Sequence, residues 1–155
     1  QGDAVETDDN NSGEGIVRIE AVTNADSVGV FNGCLIDSDP STGKPKFSNF
    51  YSQTNITQGK IRGFVFDNPY MRFLIQGDSD TAAAQTDVTK TGRFVDTHSG
   101  STFTGISGSE LDVSTLGTGE PLRVEGFTGD PSNNELAVNA NYVVSWNEHA
   151  YKDNQ

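Results

Sequence analysis

The stretch KIRGFVFDNPYMRFLIQG, residues 60–77, holds two short apolar runs on either side of a proline-containing turn. Both runs are rich in aromatic and aliphatic residues, which is typical of strands. The intervening Asp-Asn-Pro-Tyr is typical of a turn, because proline restricts φ and Asp and Asn bond to their own backbone. The stretch therefore predicts two strands that pair with each other in antiparallel fashion.

Short apolar runs bounded by Gly, Pro, Asn or Asp recur along the rest of the chain. Further predicted strands are GIVRIEAV (15–22), VGVFNGCLI (28–36), KFSNFYS (46–52), LRVEGFT (122–128) and NYVVSW (141–146). Helix-like composition is confined to residues 81–85, a segment too short to form a stable helix by itself. The pattern predicts an all-β fold, either a small antiparallel β-barrel or a β-sandwich.

The length and composition suit one domain with polar ends. A chain of 155 residues with 33% hydrophobic residues can build one β core. Residues 1–14, QGDAVETDDNNSGE, are acidic and polar, and we expect them to form an extended N-terminal arm. Residues 15–149 are predicted to be the single β domain, and residues 150–155 a polar C-terminal tail.

The charge of the chain argues against nucleic acid as a partner. The formal net charge is -12, and the ten basic residues are scattered along the sequence. Binding to phosphates requires clustered Lys and Arg. The acidity is consistent with a solvating surface or with a basic partner. No apolar run approaches the roughly 20 residues of a membrane-spanning helix, so no membrane association is expected.

The glycine- and serine-rich stretch GSTFTGISGSELDVST, residues 100–115, invites a search for a nucleophile. A nucleophile elbow has the pattern Gly-x-Ser-x-Gly, whereas here Gly108 follows Ser107 directly. Neither His98 nor His149 stands in a recognisable triad pattern. Short strands and turns are therefore predicted for this stretch, and no catalytic residue is assigned. The chain is expected not to be an enzyme.

The other candidate chemical sites are explained by ordinary structural roles. Asp37, Asp39 and Ser41 alternate as in a calcium loop, but the loop lacks the glycine and glutamate that calcium binding requires, so a hairpin turn is predicted. The single cysteine, Cys34, lies in an apolar run and is expected to be buried and inert. Glu110 and Asp112 are expected to face solvent or bond to turns. No metal site and no cofactor are predicted.

Four pieces of the chain occur in the same order in a known group of proteins. They are FVFDNPYMRFLIQGD (64–78), TAAAQTDV (81–88), GSTFTGISGSELDVST (100–115) and NANYVVSWNEH (139–149). Together with VGVFNGCLI they resemble a family of small virion proteins of tailed bacteriophages that are encoded near the major capsid protein. The resemblance spans residues 28–149.

The resemblance implies a capsid decoration or cement protein on the outer surface of the virion. Such a protein binds the major capsid protein and stabilises the shell by bridging neighbouring capsomers. A symmetric homo-oligomer is expected, with a trimer favoured over a dimer. Phe47, Phe50 and Tyr51 are candidate intersubunit contacts. The alternatives are a structural protein of the tail or of the head-tail junction, and a carbohydrate-binding β domain on the particle surface.

Overall fold

The computed structural model describes residues 1–8, 15–19, 27–51, 60–95, 100–130, 132 and 136–152, and these form an all-β fold. The all-β prediction is confirmed. The strands are β1 (Ala4–Thr7), β2 (Ile16–Arg18), β3 (Ser27–Ile36), β4 (Lys46–Ser48), β5 (Ile61–Phe66), β6 (Arg72–Gln76), β7 (Thr91–Gly92), β8 (Leu122–Phe127) and β9 (Asn141–Trp146).

The strands form two antiparallel sheets. In the first sheet the order is β2-β1-β3-β4, and β5 also pairs with β3. The second sheet has the order β6-β9-β8-β7. The sheets are not closed into a barrel, and of the two predicted architectures the sandwich fits. The only helical elements among the described residues are single 3₁₀ turns at Gln85–Asp87 and Val113–Thr115.

The predicted pairing between the two runs of residues 60–77 is wrong. β5 pairs with β3 in the first sheet, whereas β6 pairs with β9 in the second. The turn between them carries the chain from one sheet to the other, and the Asn68 side chain accepts a hydrogen bond from the Tyr70 N–H at 2.9 Å. Each run pairs with a strand that is distant in the sequence, β3 for the first and β9 for the second. The sequence of the turn does not indicate which strands the two runs pair with.

The predicted N-terminal arm over residues 1–14 also differs from the structure. β1 lies between β2 and β3, and its first two residues, Ala4 and Val5, are buried. Successive side chains of a strand lie on opposite sides of the sheet, so Ala4 and Val5 are buried on different sides. This burial of both residues is consistent with the position of the acidic segment within the sheet. Residues 9–14 lie outside the described residues.

The C-terminal tail is joined to the domain as far as it is described. The Ala150 N–H donates to the Ser27 carbonyl at 2.8 Å, and Lys152 Nζ donates to the Trp146 carbonyl at 2.7 Å. Residues 153–155 lie outside the described part of the chain.

The main core lies between the sheets and is built mostly by the second one. Inward-facing residues of β8 and β9 alternate with outward-facing ones that are mostly polar, as expected for a sheet with one buried side. Leu111, which belongs to the glycine- and serine-rich stretch, is fully buried and forms isolated β-bridges with Gly77 and Phe94. The fully buried or nearly buried core side chains include Leu122, Val124, Tyr142, Val144 and Trp146.

One side of the first sheet is only partly covered by this core. Part of that side packs against the core, and part of it is exposed. Ala4 belongs to the core cluster, and its cross-strand partner Val30 packs against that cluster. Val30 is in turn paired with Phe66 of β5. Directly paired residues lie on the same side of a sheet, so Phe66 lies on the core-facing side although it is exposed.

Candidate functional site: an exposed aromatic face

Three phenylalanines form an exposed apolar surface at the free end of the first sheet. Phe64 and Phe66 alternate along β5 and therefore lie on the same side. Phe47 of β4 lies on that side too, because its ring centroid is 6.1 Å from that of Phe64. The side chains are 55% (Phe47), 46% (Phe64) and 45% (Phe66) exposed. These three residues are called the aromatic face below.

Gly33 makes room for the aromatic face between β4 and β5. Its φ is +96°, in the region that favours glycine, and it lies where the register of β3 against β5 shifts. A Cβ atom at this position would lie 2.6 Å from Cζ of Phe47. The Phe47 ring therefore lies directly over the Gly33 backbone. From there it reaches across β3 to the ring of Phe64 on β5.

The other two predicted contact residues lie on the opposite side of the sheet. Phe50 and Tyr51 line a cavity of about 830 Å³, together with Cys34 of β3. The cavity is also bordered by the loop that contains Ile106, and both Tyr51 and Ile106 are exposed by more than half. The structure thus separates Phe47 from Phe50 and Tyr51, so that the first sheet carries apolar surface on both sides.

Phe64 and Phe66 were missed as surface candidates in the sequence. Their alternation with Gly63 and Val65 shows that they share one side of a strand. It does not show that the second sheet stops short of them, because that depends on pairings with residues more than sixty positions away.

The Asp37–Ser41 region forms a hairpin turn between β3 and β4, as predicted. The Asp39 carboxylate accepts hydrogen bonds from the Ser41 N–H, at 2.8 Å, and from the Ser41 hydroxyl. The Asp39 carbonyl accepts from the Gly43 N–H at 2.7 Å. Asp37 pairs with Arg62 at 2.8 Å. Both carboxylates therefore have protein partners, and no cluster suited to a metal ion occurs among the described residues.

The turn gives stability a defined pH dependence. Hydrogen bonds from Ser41, assisted by Lys46 3.4 Å away, lower the pKa of Asp39 from 3.8 to about 2. Because the folded pKa is the lower one, the stabilisation is present above about pH 4 and is lost as the pH falls towards 2. Urea unfolding of Asp39→Asn should show a deficit relative to the wild type that shrinks over this range. A Ser41→Ala variant should show a weaker pH dependence, and a deficit independent of pH would contradict the assignment.

The serines of the glycine-rich stretch bond to the N-terminal segment. Ser107 Oγ donates to Asp3 Oδ1 at 2.6 Å, and Ser109 Oγ lies 3.3 Å from the same oxygen. Asp3 also pairs with Arg18 at 3.4 Å. These bonds connect the loop to the strands of the first sheet. Ser107 is thereby part of the contact between the glycine-rich stretch and the N-terminal segment.

Asp112 bonds to its own turn, as predicted. Its carboxylate accepts hydrogen bonds from Ser114 Oγ at 2.6 Å and from Arg93 Nε at 3.4 Å. Burial raises the pKa of Asp112, but the bonds from Ser114, Thr115 and Arg93 outweigh that effect and leave the pKa below its ordinary value. The carboxylate is thus engaged in holding the 3₁₀ turn.

His149 is buried at the end of the last strand. Its Nδ1 accepts the Tyr151 N–H at 3.1 Å, and its ring centroid is 6.0 Å from that of Trp146. Burial lowers the pKa of His149, which keeps the imidazole neutral at neutral pH. His149 is thus hydrogen-bonded to the chain that follows the last strand. His98 lies outside the described residues.

Cys34 is fully buried, as predicted. Its Sγ donates to the Phe50 carbonyl at 3.5 Å, and burial raises the pKa of the thiol. A protonated thiol without exposure is a poor nucleophile.

The region around the aromatic face differs in charge from the rest of the chain. Residues 36–66 contain four basic and two acidic residues, a net charge of +2. Because the whole chain carries -12, the remaining residues carry -14. The sequence segment that contains the aromatic face is therefore not acidic, in contrast to the rest of the chain.

No protein-family model, curated protein or solved structure gives a significant match to this chain. Within the described ranges, no helix is long and apolar enough to cross a membrane. The fold defines an all-β sandwich with an uncovered aromatic surface.

Proposed function

We propose that this protein is a structural protein of a tailed bacteriophage virion that decorates the outside of the capsid. It stabilises the shell by bridging neighbouring capsid subunits. The observation that supports the proposal best is the aromatic face, because exposed apolar surface on the core-facing side of a sheet favours contact with a partner. The resemblance of residues 28–149 to phage virion proteins supplies the identity of that partner, the major capsid protein.

The size of the aromatic face suits a contact with another protein. A phenylalanine side chain offers roughly 200 Å², so three half-exposed rings present about 300 Å² of apolar surface. The largest apolar patch on a soluble monomer is commonly of this size and is often functional. We therefore assign Phe47, together with Phe64 and Phe66, to the contact with the shell.

Bridging requires a second contact, and the opposite side of the same sheet offers one. Tyr51 and Ile106 are exposed beside the cavity, and Phe103, in the same loop, is 96% exposed. Two apolar surfaces on opposite sides of one rigid sheet can bind two neighbouring capsid subunits. The acidic remainder of the chain then faces solvent and opposes aggregation of the particles.

The proposal can be tested with shells that lack the protein. Adding the purified wild-type chain should restore binding and raise the melting temperature of the shell. Phe47→Ser should weaken binding by about tenfold or more, because removing one well-packed aromatic contact costs about 1.4 kcal/mol or more. Leu74→Ser is the matched control, since Leu74 is 71% exposed on the outer side of the second sheet.

Equal binding by Phe47→Ser and the wild type would exclude the aromatic face as the shell contact. The two alternatives give different results. A tail or junction protein would not bind purified shells along their surface, and a carbohydrate-binding domain would bind a glycan array as an isolated chain.

A further inference from the structure

Among the described residues, strand β5 has one unpaired edge. It pairs with β3 on one side, and no strand of the described residues pairs with it on the other. Such an edge presents unpaired N–H and C=O groups that can pair with another chain. Proteins usually protect exposed edges with proline, lysine or bulges. Within Ile61–Phe66 there is neither proline nor lysine, and the one charge, on Arg62, is paired with Asp37. The register shift between Phe31 and Cys34 inserts its extra residue into β3 and leaves β5 itself without one.

The charge distribution makes this edge the favoured place for two copies to meet. Over most of its surface one copy would repel another, since the chain outside residues 36–66 carries -14. The sequence segment 36–66, which contains β5, carries only +2. A contact between two β5 edges therefore avoids the strongest repulsion.

We propose that β5 pairs antiparallel with β5 of a second copy of this chain, about a two-fold axis perpendicular to the sheet. A two-fold contact is self-complementary, so one uncovered edge is sufficient for both copies. The operation keeps each side of the sheet facing the same way. The aromatic faces of the two copies therefore adjoin on one side of a continuous sheet.

This strand pairing extends the proposed function. The pairing itself does not depend on that function, but its consequence for the capsid shell does. The joined face would present about 600 Å² of apolar ring surface by the same side-chain areas, and one dimer would engage the shell at two points. Pairing of one short strand buries less than a standard interface, so the dimer should be weak in solution and strengthened when both copies are bound. Of the two oligomers considered from the sequence, this geometry supports the dimer.

The test is the mass of the full chain in solution as a function of concentration. Sedimentation velocity from about 10 µM to about 1 mM, the effective concentration of linked sites, should show mass rising from 16.6 kDa towards twice that value. Phe64→Lys should remain a monomer, because it places a charge on the edge that faces its own copy. Leu74→Lys makes the same change on β6 and should dimerise like the wild type.

A second measurement uses the wild-type chain alone. Hydrogen exchange of the β5 amides should slow as concentration rises, while exchange in β6 stays constant. Mass that stays at 16.6 kDa throughout, dimerisation of Phe64→Lys equal to the wild type, or unchanged β5 exchange would each overturn the proposal.

Phe47→Ser separates this proposal from the proposed function. Phe47 belongs to the aromatic face but lies on β4, which is across β3 from the β5 edge. The variant should lose shell binding and keep the dimer. Loss of the dimer in Phe47→Ser would show face-to-face packing instead of edge pairing and would contradict the inference.

Discussion

Replacing Trp146 with alanine is expected to lower the free energy of unfolding by about 3–5 kcal/mol, the usual cost of deleting a large buried aromatic side chain. Trp146 is fully buried on β9. Its ring centroid lies 5.6 Å from that of Phe73 and 6.4 Å from that of Phe94. Truncation would leave these rings without a partner at the centre of the sandwich.

Urea unfolding followed by circular dichroism measures this effect, since Trp146 is the single tryptophan and its fluorescence is lost in the variant. Phe103→Ala is the matched control, because Phe103 is almost completely exposed. Its stability should stay within about 0.5 kcal/mol of the wild type. A loss at Trp146 no larger than at Phe103 would contradict the assigned core.

Replacing Asp87 with alanine is expected to cost about 3 kcal/mol, because three donors, among them the buried Tyr142 hydroxyl, lose their acceptor at once. Asp87 is buried within the 3₁₀ turn that precedes β7. Its Oδ2 accepts from the Ala84 N–H at 2.7 Å and lies 3.3 Å from the Tyr142 hydroxyl. Its Oδ1 pairs with Lys90 at 3.1 Å.

The Tyr142 side of this network can be tested separately. Burial and the Asp87 carboxylate raise the pKa of Tyr142 far above its ordinary value, so the hydroxyl stays protonated and donates. Tyr142→Phe removes one bond and should cost about 1 kcal/mol. In the double variant the two losses should not add, because both changes remove the same bond. Strict additivity would show that the hydroxyl and the carboxylate do not interact.

Strands with long, alternating runs could be predicted from the sequence, and short ones could not. β3, β8 and β9 carry enough apolar residues to indicate a buried side. β1 has only two apolar residues in an acidic segment, and β7 has two residues in all. Both exist because a neighbouring strand supplies their hydrogen bonds, which is information that lies elsewhere in the chain.

The residues of the candidate site could also be predicted only in part, because their exposure depends on strands elsewhere in the chain. Phe47 was predicted as a contact residue, and it is exposed. Phe64 and Phe66 have the same chemistry, but their exposure depends on where the second sheet ends. The mistaken pairing of β5 with β6 hid this, since a hairpin would have placed both strands in one sheet and covered the edge that β5 leaves open.

The aromatic face and the β5 edge connect the fold to the proposed role. A sandwich that covered all its core-facing surface would need no partner. Within the described residues, the first sheet extends past the second, and the extension carries exposed apolar side chains and an unpaired strand edge. These properties together favour an assembly in which other subunits complete the core.

The copy number of the protein in purified virions tests the central claim most directly. Under the proposed role, quantitative mass spectrometry of the purified particles would give the ratio of this chain to the major capsid protein. A decoration protein should be present in about the stoichiometry of the major capsid protein, and it should remain on heads separated from tails. A value of only a few copies per particle, or recovery with the tail fraction alone, would contradict the proposed role.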